Sequence, residues 1–241
     1  MATSLADFAE QTNPKVLGEA LGANFRQATR VHRSLLVAGE KRILIWMAER
    51  MPAWVNSDHL TVIGFGAQIA AGVCYGLAVH DRRMLLAAMV CLAVNWFGDS
   101  LDGTLARVRQ QQRPRYGFYV DHIIDSIGAV AMMGGLALSG YMHPAIAIGL
   151  LIAFLLLSIQ SYLATYTLGE FQLSMWRFGP TELRVLLVVG NLALFRWAWV
   201  IHGRYRLFDI GGAIGLAGML LMLVVVALKN TVRLYREERI S

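Results

Sequence analysis

The chain has 241 residues, of which 56% are hydrophobic and only 16% charged. A charged share well below the roughly one quarter of soluble domains excludes an ordinary water-soluble enzyme and a disordered chain. The formal charge of +6 would admit a nucleic-acid partner. The basic residues sit beside apolar stretches, however, so the membrane surface is the expected partner and nucleic acid is not.

Residues 1–22 read as a polar lead without the apolar run of a signal peptide. Residues 23–52 mix arginines such as Arg26 and Arg33 with Leu35, Ile43 and Trp46. That segment is too charged to span a bilayer, and it suits an amphipathic helix lying in the interface. Six predicted spans follow at 59–79, 83–108, 117–139, 143–168, 181–201 and 207–229. Each approaches or exceeds the ~20 apolar residues that cross a bilayer. The expected architecture is therefore all-α and polytopic. Residues 1–58 form the lead and interfacial helix, and 59–241 a six-helix catalytic domain with a short basic tail. Cys74 and Cys91 both fall inside apolar segments and read as buried thiols.

Lys and Arg assign the orientation. The side holding both termini carries 17 of them, and the opposite side carries 4. The termini and the 107–116 connection are thus expected on the cytoplasmic side.

The unusual stretch is Asp99 to Asp125, which joins the second and third spans. Asp99 and Asp102 are three apart, and Asp121 and Asp125 are four apart, so each pair shares one helix face. Carboxylates at the end of apolar helices are costly and call for cations. Four oxygen ligands, no cysteine and one nearby histidine point to Mg²⁺ or Mn²⁺ rather than zinc. Gly103, Ala106 and Gly117 leave room for a bulky ligand, and Arg107 suits a phosphate. Together they point to a metal–nucleotide diphosphate site.

This run resembles the signature of the CDP-alcohol phosphotransferase family, D-x2-D-G-x2-A-R, a spacer, then G-x3-D-x3-D. Asp99, Asp102, Gly103, Ala106, Arg107, Gly117, Asp121 and Asp125 fill every fixed position. The resemblance implies that Asp99, Asp102 and Asp121 ligate metal, in all two ions. It implies that Asp125 is the general base on an acceptor hydroxyl and also touches a metal, with Gly103, Ala106, Arg107 and Gly117 lining the cytidine diphosphate pocket. It also implies a CDP-linked donor and an alcohol acceptor, one of them a lipid, release of CMP, and a homodimer. The segments around His122 and Gly179 look like the choline/ethanolamine branch of the family, whereas other branches use CDP-diacylglycerol.

His122, Asn95 and Trp96 read as packing residues. Arg177 and Arg184 fall in the 169–184 connection, either anchoring topology or binding a phosphate-bearing headgroup. Two other functions compete: a divalent-cation transporter, since intramembrane carboxylates also mark ion paths, and a non-catalytic membrane scaffold.

Overall fold

The computed structural model describes residues 37–168, 180–197, 199–200 and 204–238. The predicted polar lead, the first half of the interfacial helix and Arg177 lie outside them.

Seven helices occur among the described residues: α1 Val37–Arg50, α2 Ser57–Leu77, α3 Met84–Val108, α4 Pro114–Leu138, α5 Pro144–Leu168, α6 Pro180–Arg196 and α7 Leu207–Glu237. Proline opens α4, α5 and α6. There its fixed φ suits the first helical position, where its missing N–H is not needed. Gly140, at φ +74°, turns the chain between α4 and α5, a conformation that favours glycine.

Five helices, α2 to α5 and α7, are long and apolar enough to cross a membrane. Of the six predicted spans, the fifth is the exception in length. α6 has 17 residues with a shorter apolar core at Leu183–Phe195. It ends early because a two-residue strand, β1 (Trp199–Val200), pairs antiparallel with β2 (Tyr205–Arg206) and turns the chain back. α7 in turn runs past the predicted end at 229 to Glu237.

Helix α2 is the hub: it packs along both α3 and α4, while α3 and α4 scarcely touch. α5 packs on α4 and α7, α6 on α3, and α1 on α3. The contacts of α2 are made at glycine. A Cβ on Gly98 would stand 2.6 Å from Gly64, and one on Gly72 would stand 2.3 Å from the Ala131 carbonyl. A Cβ on Gly135 would meet the Gly72 oxygen at 1.9 Å. Small residues at such crossings let backbones come together where apolar burial between helices gives little drive. By contrast Gly211 on α7 has nothing within 4 Å among the described residues, so it makes no close crossing.

The main core gathers Tyr75, Leu85, Leu92, Leu136 and Leu194 around α2. A second cluster seats one face of α1, through Leu44 and Ala48, on Leu101 and Leu105 of α3. The opposite face of α1 exposes Ile43 and Trp46, as an interfacial helix requires.

Gly135→Val forces a branched side chain into the α2 backbone and is expected to cost about 1–3 kcal/mol. Gly134→Ala, a position with nothing within 4 Å, is expected to gain about 0.5–1 kcal/mol from helix propensity. Thermal unfolding in detergent measures both. A Gly135→Val protein as stable as the parent would contradict the close crossing.

Candidate active site

Asp99 and Asp102 lie near the end of α3, and Asp121 and Asp125 in the first half of α4. At ~1.5 Å rise per residue, Asp102 and Asp99 stand roughly 9 and 14 Å from the end of α3. Asp121 and Asp125 stand roughly 10 and 16 Å from the start of α4 by the same rise. The antiparallel helices therefore carry the carboxylates as two rungs, Asp102 with Asp121 and Asp99 with Asp125. The electrostatics agree. Asp102 feels the charges of Asp99 and Asp121, and Asp125 those of Asp99, Asp121 and Asp102. Asp99 and Asp125 are exposed to the cleft, and Asp102 and Asp121 are half-buried. The four carboxylates lie within one another's charge field, but the two helices that carry them are not packed face to face. α2 holds α3 and α4 apart and leaves the cleft between them.

Helix α2 supplies polar contacts to the upper rung. Thr61 donates its hydroxyl to Asp102 Oδ2 at 2.6 Å, and Ser57 donates to the Asp102 carbonyl at 2.9 Å. The Gly103 amide donates to Asp102 Oδ1. On the lower rung, Arg184 of α6 donates to Asp99 Oδ2 at 2.7 Å and, through Nε, to Asn95 Oδ1 at 2.8 Å. Asn95 in turn donates its amide to the Gly64 carbonyl at 2.9 Å.

The four positions expected to line a nucleotide pocket differ from the packing glycines. Among the described residues, Gly117 has nothing within 4 Å of its would-be Cβ, and Gly103 meets only the flexible end of Arg107 at 3.5 Å. Neither is required for helix contact. Ala106 is half-buried on the same stretch. Arg107 donates to Thr104 at 3.0 Å, folding back over Gly103.

Residues 54–229 match the family model for CDP-alcohol phosphatidyltransferase. The chain belongs to that family. It is also 31% identical over 113 residues to an archaetidylinositol phosphate synthase from Pyrococcus horikoshii. That match covers 47% of this chain and 53% of the relative, about half the length of each. With its long apolar helices, this CDP-alcohol phosphatidyltransferase family member is a multi-pass integral membrane protein.

The mouth of the family member's cleft is tied down from several sides. Arg109, just past α3, donates to the carbonyls of Met51, Pro52 and Val55 and so clamps the α1–α2 connection. Arg113 at the start of α4 pairs with Asp58 of α2. Glu40 of α1 accepts from Trp96 at 2.8 Å and from Thr181 at 3.1 Å, joining α1, α3 and α6. On the α5 side, Tyr162 hydrogen-bonds Ser126 and Ser158 and lies within the field of Asp125. His122 donates from Nδ1 to the Phe118 carbonyl and packs edge-on against Tyr162 at 4.9 Å.

Among the described residues, no three Asp, Glu, His or Cys side chains converge on one point as they stand. Asp99 is turned to Arg184, and both oxygens of Asp102 are occupied by Thr61 and Gly103. The donor chemistry nevertheless fits a hard divalent ion, because four carboxylates share one field and no thiol is nearby.

Sequence reasoning missed Ser57, Thr61 and the tie between Asn95 and Arg184. A signal existed for α2: Ser57, Thr61, Gly64, Gln68 and Gly72 fall at helical spacing on one face. Nothing in the spacing of Arg184 announces its partner 85 residues away.

Arg109→Ala leaves three carbonyls without their charged donor and is expected to cost about 1.5–3 kcal/mol. Arg113→Ala, which breaks an exposed pair, is expected to cost under about 1 kcal/mol. Thermal unfolding ranks the two, and faster proteolysis at residues 51–56 should accompany the Arg109 variant alone.

Proposed function

We propose that this chain transfers a substituted phosphate from a CDP-linked donor to an alcohol, releasing CMP. The observation that carries this reading is the four-carboxylate cleft at one end of the bundle, bordered by two glycines that no helix packing requires.

In this reading Asp99, Asp102, Asp121 and Asp125 hold two divalent ions, Mg²⁺ or Mn²⁺. Ions bound there would supply the positive charge that offsets the diphosphate and the departing CMP. Gly103, Ala106 and Gly117 admit the cytidine and diphosphate, and Arg107 pairs with a phosphate oxygen. Asp125, exposed to the cleft, takes the proton of the acceptor hydroxyl. The acceptor oxygen bonds to the phosphorus that carries the donor's alcohol, the bond from that phosphorus to the CMP oxygen breaks, and CMP leaves. Thr61 keeps the Asp102 carboxylate oriented by its 2.6 Å hydrogen bond.

The distribution of Lys and Arg, 17 against 4, supports a cleft open to the cytoplasm. There a soluble and a lipid reactant meet. A homodimer is part of the proposal. The relative's name points to an inositol-phosphate lipid as product, and the sequence around His122 to the choline/ethanolamine branch, so both directions of transfer need testing. The carboxylates gather at one end of the bundle rather than along a path through it, which disfavours an ion transporter.

The test is CMP release by the full chain with Mg²⁺ or Mn²⁺, screened over CDP-diacylglycerol, CDP-choline and CDP-ethanolamine with candidate acceptors. Release should require both donor and acceptor. Asp125→Asn is expected to lower turnover about 10²–10⁴-fold with the fold retained. Full activity in that variant would remove Asp125 as the base. Metal uptake into proteoliposomes without any CDP compound would favour the transporter.

A further inference from the structure

Arg184 stands where a cation is needed. Its side chain is 14% exposed, whereas that of its partner Asp99 is 41% exposed. The guanidinium is held at two points, Asn95 Oδ1 at 2.8 Å and Asp99 Oδ2 at 2.7 Å. Asn95, itself 4% exposed, cannot be turned around. Its nitrogen faces the Gly64 carbonyl and its oxygen faces Arg184 Nε, so flipping it would set donor against donor and acceptor against acceptor. The arginine is therefore fixed from behind by a buried amide, and it reaches forward to the deeper rung of carboxylates. Its charge also acts on Asp125.

Two facts then meet. Like charges crowded into one cleft need a counter-ion, and Arg184 supplies one from the protein itself. A divalent ion at Asp99 Oδ2 would sit beside the guanidinium already there, so the two cations compete for that carboxylate. We propose that Arg184 is a tethered counter-ion that holds Asp99 in the metal-free protein and gives it up when divalent ions bind. The inference rests on the reading of the four aspartates as metal ligands. On release the guanidinium keeps Asn95 and stays in the cleft, so Arg184 sets how much ion is needed to load the site.

The experiment is Mg²⁺ binding to the full chain in nanodiscs by calorimetry, together with its unfolding temperature with and without Mg²⁺. Arg184→Gln removes the competitor and is expected to bind Mg²⁺ about tenfold more tightly. Its metal-free form should melt lower, so that its Mg²⁺-induced stabilisation is larger than the parent's. Arg184→Lys keeps the charge but loses the two-point hold, and its affinity is expected to fall between the two. It also serves as the reporter should the glutamine variant not fold. Unchanged or weaker Mg²⁺ binding in these variants overturns the inference and makes Arg184 a support for the ligand geometry. Absence of Mg²⁺ and Mn²⁺ binding in the parent chain overturns instead the metal reading on which it rests.

Discussion

The structure depends on a steric constraint: one helix must touch two others at backbone distance while those two stay apart. α2 does so because Gly64, Gly72, Gly98 and Gly135 leave no side chain at its crossings. With larger residues α2 would stand off, and α3 and α4 would lose the common reference that brings their aspartates level. In a bilayer, where apolar surface gains little from leaving lipid, such close contact is what helix association has to rest on. The cleft is therefore a product of packing elsewhere. Its walls meet through a third helix and hardly at all through each other.

Charge sets the second layer of organisation. Two of the carboxylates are held across helices: Asp102 by Thr61 of α2, Asp99 by Arg184 of α6. These contacts fix side chains that would otherwise repel. They also leave Asp99 and Asp125, the deeper rung, open to the cleft.

Much of this was legible in the sequence, for physical reasons. Long apolar runs declare their own spans, so α2 to α5 begin and end within a few residues of expectation. The Asp99–Asp125 run was legible because three- and four-residue spacing fixes a helix face whatever the tertiary structure. What was not legible depends on distant pairings. Asn95 reads as packing because an amide beside Trp96 carries no periodic signal, yet it joins α2 to α6. Arg184 reads as a topology anchor or a phosphate-headgroup ligand, because its position in a basic connection suffices for either until α6 is folded against α3. The early end of α6 was hidden by Trp197 and Trp199, which extend its apolar run beyond the point where the chain turns back.

The length of α7 has a consequence for the whole bundle. Its 31 residues extend about 46 Å at 1.5 Å each, against roughly 30 Å of hydrocarbon. Lys229, Arg233 and Arg236 occupy the surplus turns, and charges resist being drawn into lipid. The junction at Leu228 and Lys229 thus acts as a waterline. It fixes how deeply the protein floats, and with it the depth below the headgroups at which the aspartates lie.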